Sequence, residues 1–201
     1  MKLTQTFFTA AAISCFAFSA SGSVTFDPTG NSAYDGLATI NESLTDTDNG
    51  FNTTITLTAG GGTFNSNSGD FGIDSGTGTN DFIDGTSESI TITFSTDILF
   101  NFIDLSEVGS DATDGAKLTI GGSSINLFTG VTGFNGTQDI YTPTSPIALS
   151  SGDSIILTGS EATSEFTLEG INITVVPEPG TFALLSGFSA LTFVMLRRRS
   201  A

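Results

Sequence analysis

Ser89-Ile90-Thr91-Ile92-Thr93-Phe94 alternates polar and apolar residues without a break. Successive side chains of a β-strand point to opposite faces. This hexapeptide therefore sends Ile90, Ile92 and Phe94 to one side and Ser89, Thr91 and Thr93 to the other. A helix would scatter the same residues around its circumference, so the period predicts a half-buried strand. Working outward, Thr54-Ile55-Thr56-Leu57-Thr58, Ser124-Ile125-Asn126-Leu127 and Gly170-Ile171-Asn172-Ile173-Thr174-Val175 read the same way. Leu99 to Leu105 is denser, with Leu99, Phe100, Phe102, Ile103 and Leu105. It predicts a central strand covered on both faces, and Ile155-Ile156-Leu157 reads similarly. No window between residues 24 and 175 sustains a capped 3.6-residue period.

Turn signals separate these strands at short intervals: Asp35-Gly36, Asn49-Gly50, Asp84-Gly85, Asp114-Gly115, Asn135-Gly136 and Ser151-Gly152-Asp153 among them. The clearest hairpin is Leu118 to Leu127, two alternating strands around Gly121-Gly122. Ser66 to Asp81 lacks a convincing strand and reads as a long loop. About 155 residues suffice for one real core. Eight or more short antiparallel strands predict an all-β domain over residues 23–175, an antiparallel β-sandwich of jelly-roll type.

Both termini are signals rather than fold. Lys2 supplies a positive start. Phe7 to Phe18 is apolar except for Thr9 and Ser14, and small residues follow at Ser19 to Ser23. Residues 1–22 are thus read as a secretory signal peptide, with cleavage after Ser21 or Gly22. The single cysteine, Cys15, leaves with it, so the mature fold uses no disulfide. Residues 176–201 form a tail: Val176-Pro177-Glu178-Pro179-Gly180, an uncharged apolar run over 181–196, then Arg197-Arg198-Arg199. As a helix the 16-residue run would span about 24 Å, short against a hydrocarbon core of about 30 Å. Pro179-Gly180 stops the helix upstream. The arginines snorkel to the headgroups and stay cytoplasmic, which places the body across the membrane.

A Pro-Glu-Pro tripeptide, a short transmembrane helix and a terminal arginine cluster, in that order, resemble the PEP-CTERM sorting domain of Gram-negative bacteria. The resemblance covers only the tail. It implies that an exosortase-type membrane protease is a partner and cuts near Pro177, Glu178 and Pro179. Contact with the membrane is then transient, with Arg197, Arg198 and Arg199 as retention residues. It further implies delivery to the cell surface or extracellular matrix, in company with exopolysaccharide and biofilm formation.

Between residues 22 and 178, Lys117 is the only cation against 21 acidic residues, a formal charge of −20. Such a surface repels nucleic acid and polyphosphate ligands. It suits divalent cations, cationic polymers or salt-rich water. The chain has no histidine, so no Ser-His-Asp, Cys-His or histidine-metal chemistry exists. No Gly-rich phosphate loop precedes a helix. With 21 acids, a carboxylate pair at glycosidase separation arises by chance. The reading is therefore not an enzyme. Hard-oxygen turns at Asp46-Thr47-Asp48-Asn49 and Asn80-Asp81-Phe82-Ile83-Asp84 make Asp46, Asp48, Asp81 and Asp84 candidate calcium ligands, with no other cofactor. Neither fits EF-hand spacing, and Asp and Asn also favour turns for their own geometry. The leading expectation is a non-catalytic exported surface or matrix protein. The alternatives are a carbohydrate- or calcium-binding adhesion module and a carboxylate-dependent glycan hydrolase.

Overall fold

The computed structural model describes residues 23–46, 50–66, 70–76, 82–108, 115–128, 131–135, 139–176, 184, 187–192 and 195. The described body is all-β and its strand pairs are antiparallel. The strands are β1 (Val24–Phe26), β2 (Thr39–Thr45), β3 (Asn52–Gly60), β4 (Thr63–Asn65), β5 (Gly72–Asp74), β6 (Ile83–Asp84), β7 (Ser89–Phe94), β8 (Ile98–Ser106), β9 (Ala116–Ile120), β10 (Ser123–Leu127), β11 (Phe134–Asn135), β12 (Ile140–Tyr141), β13 (Ile147–Leu149), β14 (Ser154–Gly159) and β15 (Glu165–Val175). A single 3-10 turn covers Ser32–Tyr34.

One sheet of six strands runs β10-β9-β14-β7-β3-β2. Here the alternation predicted from Ser89–Phe94 holds: Ile90 and Ile92 are fully buried and Phe94 nearly so, while Ser89, Thr91 and Thr93 are half-buried on the other face. Its partners repeat the pattern with Ile55 and Leu57 on β3 and Ile155 and Leu157 on β14. The predicted Leu118–Leu127 hairpin is present, with Ser123 opposite Ile120. A two-residue turn matching the strand twist needs positive φ at both positions. Gly121 (φ 56°) and Gly122 (φ 80°) supply it, where a Cβ would be strained.

The second sheet has seven strands. Its path is β1-β15-β8-β12-β11, with β13 also pairing β8 and β6 also pairing β15. The dense segment forms β8, which is central as expected, but only one of its faces is fully buried. Ile98, Phe100, Ile103 and Leu105 point inward, whereas Leu99 and Phe102 are half-buried. Inward residues of both sheets meet in one hydrophobic cluster.

The expected loop over Ser66–Asp81 contains a strand. β5 pairs with β4, and Phe71 and Ile73 are fully buried. Phe64 stacks on Phe71 at 5.1 Å between ring centres, and Tyr34 meets Phe71 edge-on at 6.2 Å. Three-residue strands carry too few residues for a period. Their conformation is decided by the aromatic burial they make.

In the tail, Leu184, Gly187 to Thr192 and Met195 are helical. Leu184, Phe188, Leu191 and Met195 are exposed. No helix among the described residues is long and apolar enough to cross a membrane. Residues 1–22, expected to be a signal peptide, and Pro177, Glu178, Pro179 and Arg197 to Arg199 lie outside the described residues.

Candidate functional site

Of the residues singled out for calcium, Asp46 and Asp84 are described. Asp46 is fully buried, with its backbone N–H donating to the Phe51 carbonyl and its carbonyl accepting from Gly50. Asp84 lies half-buried on β6, where its N–H donates to the Glu88 carboxylate at 2.8 Å. Asp48 and Asp81 lie outside the described residues. Among the described residues no three acidic groups are close enough together to hold a metal ion.

Functional signals converge instead on the outer face of the seven-stranded sheet, where β8 and β15 pair. Their register slips twice. Leu168 faces Leu105 and Gly170 faces Asp104, so Glu169 is an extra residue on β15. Asn172 faces Phe102 and Ile173 faces Phe100, so Asn101 is an extra residue on β8. A β-bulge bends the strand and re-aims a side chain, and bulges recur beside functional sites. Asn101 uses its amide to donate to Asn172 Oδ1 at 2.8 Å and to Thr174 Oγ1 at 3.0 Å. Asn172 in turn donates to Thr25 Oγ1 at 2.8 Å. That network fills one half of the face with satisfied polar groups.

The other half is acidic. Gly170 presents no side chain beside Asp104, and a Cβ there would come within 3.3 Å of the Phe26 carbonyl. Burial pushes the Asp104 carboxyl above the ordinary aspartate range, and repulsion from Asp139 and Asp27 adds to it. Burial likewise raises Glu169, reinforced by the charges of Asp104, Asp70 and Asp27. Glu169 thus sits in the field of Asp104, and both are half-buried.

One register row leads from Asp104 to a depression. Asp104 faces Ile140, and Ile140 faces Asn135. Ile140, Asn135, Phe102, Gly133, Phe134 and Thr142 line a hollow of about 500 Å³. Phe102 and Ile140 are its half-buried apolar residues, Phe134 belongs to the core cluster beneath, and Asn135 and Thr142 are its polar residues. Next to Ile140 in sequence, Asp139 holds a left-handed backbone (φ 51°), and just past the end of β8 Glu107 holds another (φ 60°). For non-glycine residues such conformations are costly and collect at functional sites. Asp139 stays there through two bonds: its carbonyl accepts from Leu105 N at 3.2 Å and its carboxylate accepts from Val108 N at 3.2 Å.

A hollow of mixed apolar and polar lining, one register position from the perturbed Asp104, is the candidate ligand site. Sequence reading by turn clusters passed over Asp104 and Glu169. The available cue was a carboxylate inside an apolar strand: Asp104 between Ile103 and Leu105, and Glu169 between Leu168 and Gly170.

A second acidic group is structural. Glu88 is only 2% exposed, and burial raises its carboxyl, with Asp84 and Asp74 adding repulsion against hydrogen bonds from Ser75 and the Asp84 backbone. It joins β6 to the segment before β7.

Set beside known proteins, the chain matches no protein-family model, and no curated protein matches it.

Proposed function

We propose that this chain is an exported, non-catalytic surface or matrix protein, sorted through its tail by an exosortase-type protease and associated with extracellular polysaccharide. The observation that carries the reading is the order Pro177-Glu178-Pro179, apolar run, Arg197-Arg198-Arg199 at one terminus, opposite an N-terminal export signal. The apolar side chains of Leu184, Phe188, Leu191 and Met195 are exposed rather than in the core, which suits a segment meant for lipid or for removal. The body is read as an antiparallel sandwich of jelly-roll type, supported by two sheets that share one core. The absence of histidine throughout and the acidity of the body favour binding over catalysis.

Mass spectrometry of surface protein from the native host tests this. The expected body ends near Val176–Pro179. Full-length protein at the surface, still carrying Arg197–Arg199, rejects processing in favour of a permanent anchor.

The geometry supports one second reading, an adhesion module. The observation in its favour is the hollow beside Asp104.

A further inference from the structure

We infer that the open edge of β10 pairs with β10 of a second copy of this chain, antiparallel about a twofold axis at Ile125, so that the six-stranded sheets of the two copies run into one another. The inference goes beyond the sorting reading and does not depend on it.

The registers show which backbone groups the edge leaves free. In an antiparallel pair, successive residues aim their N–H and C=O groups alternately at the partner strand and away from it. The two-residue turn at Gly121-Gly122 makes Ile120 and Ser123 a hydrogen-bonded pair. Leu118 with Ile125 and Ala116 with Leu127 follow at steps of two. On the other side of β9, Ser160 N donates to the Gly115 carbonyl, so Lys117 and Thr119 bond to β14, as the same alternation requires. Ser124 and Asn126 therefore aim their backbone groups away from β9, and both residues are exposed. Among the described residues, β9 is the one strand that pairs with β10.

Such an edge invites a further strand, and soluble proteins blunt it with charge, proline, a bulge or brevity. β1 and β11, at the ends of the seven-stranded sheet, have three and two residues. β2, at the far end of the six-stranded sheet, leaves Thr39, Asn41, Ser43 and Thr45 facing out, since Asp46 N donates to the Phe51 carbonyl and even-numbered residues bond to β3. Its middle residue is Glu42, half-buried and held by the Tyr34 hydroxyl at 2.8 Å. A twofold pairing of β2 centred there would set Glu42 against itself, a destabilising like-charge pair. β10 reads Ser123-Ser124-Ile125-Asn126-Leu127, without charge, proline or bulge, in a chain with 21 acidic residues.

Self-pairing suits this edge. About an axis at Ile125, Ser124 meets Asn126 of the second copy, and their outward N–H and C=O groups bond one another. Ile125 meets its own counterpart at the non-hydrogen-bonded position between, where side chains come closest. It is half-buried against the core, with apolar surface left to cover. Lys117, the body's only cation, stands opposite Asn126, and neither β9 nor β10 has a carboxylate. Two bodies of −20 repel, and this edge brings their uncharged parts together.

Cysteine cross-linking of the full chain in mild detergent tests the register, with Cys15→Ser removing the native thiol. Ile125→Cys should form a disulfide dimer on mild oxidation, because residues facing at such a position have Cα atoms about 4.5 Å apart. Asn126→Cys should cross-link about tenfold more slowly or less, because its two copies are offset along the strands beyond the roughly 7 Å reach of a disulfide. Ser124→Pro removes an outward N–H that the fold does not use. The dimer dissociation constant from sedimentation should then rise about tenfold or more, since each copy loses a bond. Ser43→Pro, the same change at the edge of β2, should leave that constant unchanged. Asn126→Pro replaces Ser124→Pro if circular dichroism shows the latter unfolded. Raising NaCl from about 50 mM to about 500 mM should strengthen the dimer by screening the two bodies. Equal cross-linking through Asn126→Cys, a dimer that Ser124→Pro leaves intact or that Ser43→Pro breaks, weakening by salt, or a chain monomeric up to about 1 mM overturns the inference.

Discussion

Across the six-stranded sheet, one register row runs Thr39, Thr58, Thr91, Ile156, Thr119, Ser124, and the next runs Asn41, Thr56, Thr93, Ser154. Across the seven-stranded sheet, the row at the hollow runs Gly170, Asp104, Ile140, Asn135. The first two rows carry no carboxylate, although the body has a formal charge of −20. Their hydroxyls and amide pair across strands: Thr56 Oγ1 donates to Asn41 Oδ1 at 2.8 Å, and Thr119 and Ser124 share a bond of 2.8 Å. The third row holds a carboxylate in the field of several others. The difference lies in register. β3, β7, β9 and β14 pair without slips, so their outward positions line up in unbroken rows. β8 and β15 slip at Asn101 and Glu169, and each slip turns an extra polar residue outward. The regular face is satisfied within itself, as is the slip at Asn101, while the slip at Glu169 adds a carboxylate in the field of Asp104.

The inward sides should not differ, because they share one core. Ile92→Asp from the first sheet and Ile103→Asp from the second each bury an unpaired carboxylate at a position with no exposure. The cost is several kcal/mol, against a domain stability of about 5–15 kcal/mol. Both variants should lose the β spectrum and the cooperative melt. If Ile103→Asp melted cooperatively with the six-stranded sheet intact, the two sheets would be independent units.

Acid sharpens the contrast between the outer faces. Asp104, Glu169 and Glu88 have carboxyls raised by folding. In the window from the ordinary carboxylate range up to those raised values, the folded state holds more protons than the unfolded one. Stability therefore falls as pH rises through that window and grows as pH falls back into it. Asp104 faces Asp139 and Asp27, Glu169 faces Asp104, Asp70 and Asp27, and Glu88 faces Asp84 and Asp74, so protonation also relieves repulsion. Thermal melts should rise by a few degrees between pH 7 and pH 5, where roughly 2–4 °C corresponds to 1 kcal/mol in a domain of this size. Asp104→Asn/Glu169→Gln should melt higher at pH 7 and lose part of that rise. A melt that only falls with acid refutes the assignment.

The smallest effect belongs to the hydroxyl face. Thr91→Val and Thr93→Val keep β-branching and the strand preference while removing hydroxyls from half-buried outward sites. Urea midpoints should move by no more than about 0.5 kcal/mol in equivalent stability, with the pH response unaltered. A large loss would mean that this face is covered by something the fold needs.

The sequence by itself determined the strands with a long alternation, the Gly121-Gly122 hairpin and the all-β class, because period and turn geometry are local properties read from adjacent residues. It also carries the composition of the two terminal segments, on which the proposed sorting rests. Tertiary structure alone decided the rest. β4 and β5 are strands because Phe64 and Phe71 stack in the core, a contact that three-residue segments cannot announce. Asp104, Asp139, Glu169 and Asp27 are scattered through the chain, and no spacing rule joins them. They interact because β8 lies between β15 and β12, with two slips of register to aim them. Pairing of distant strands is settled by the burial of their inward faces, so the chemistry that gathers on the outward face follows from packing.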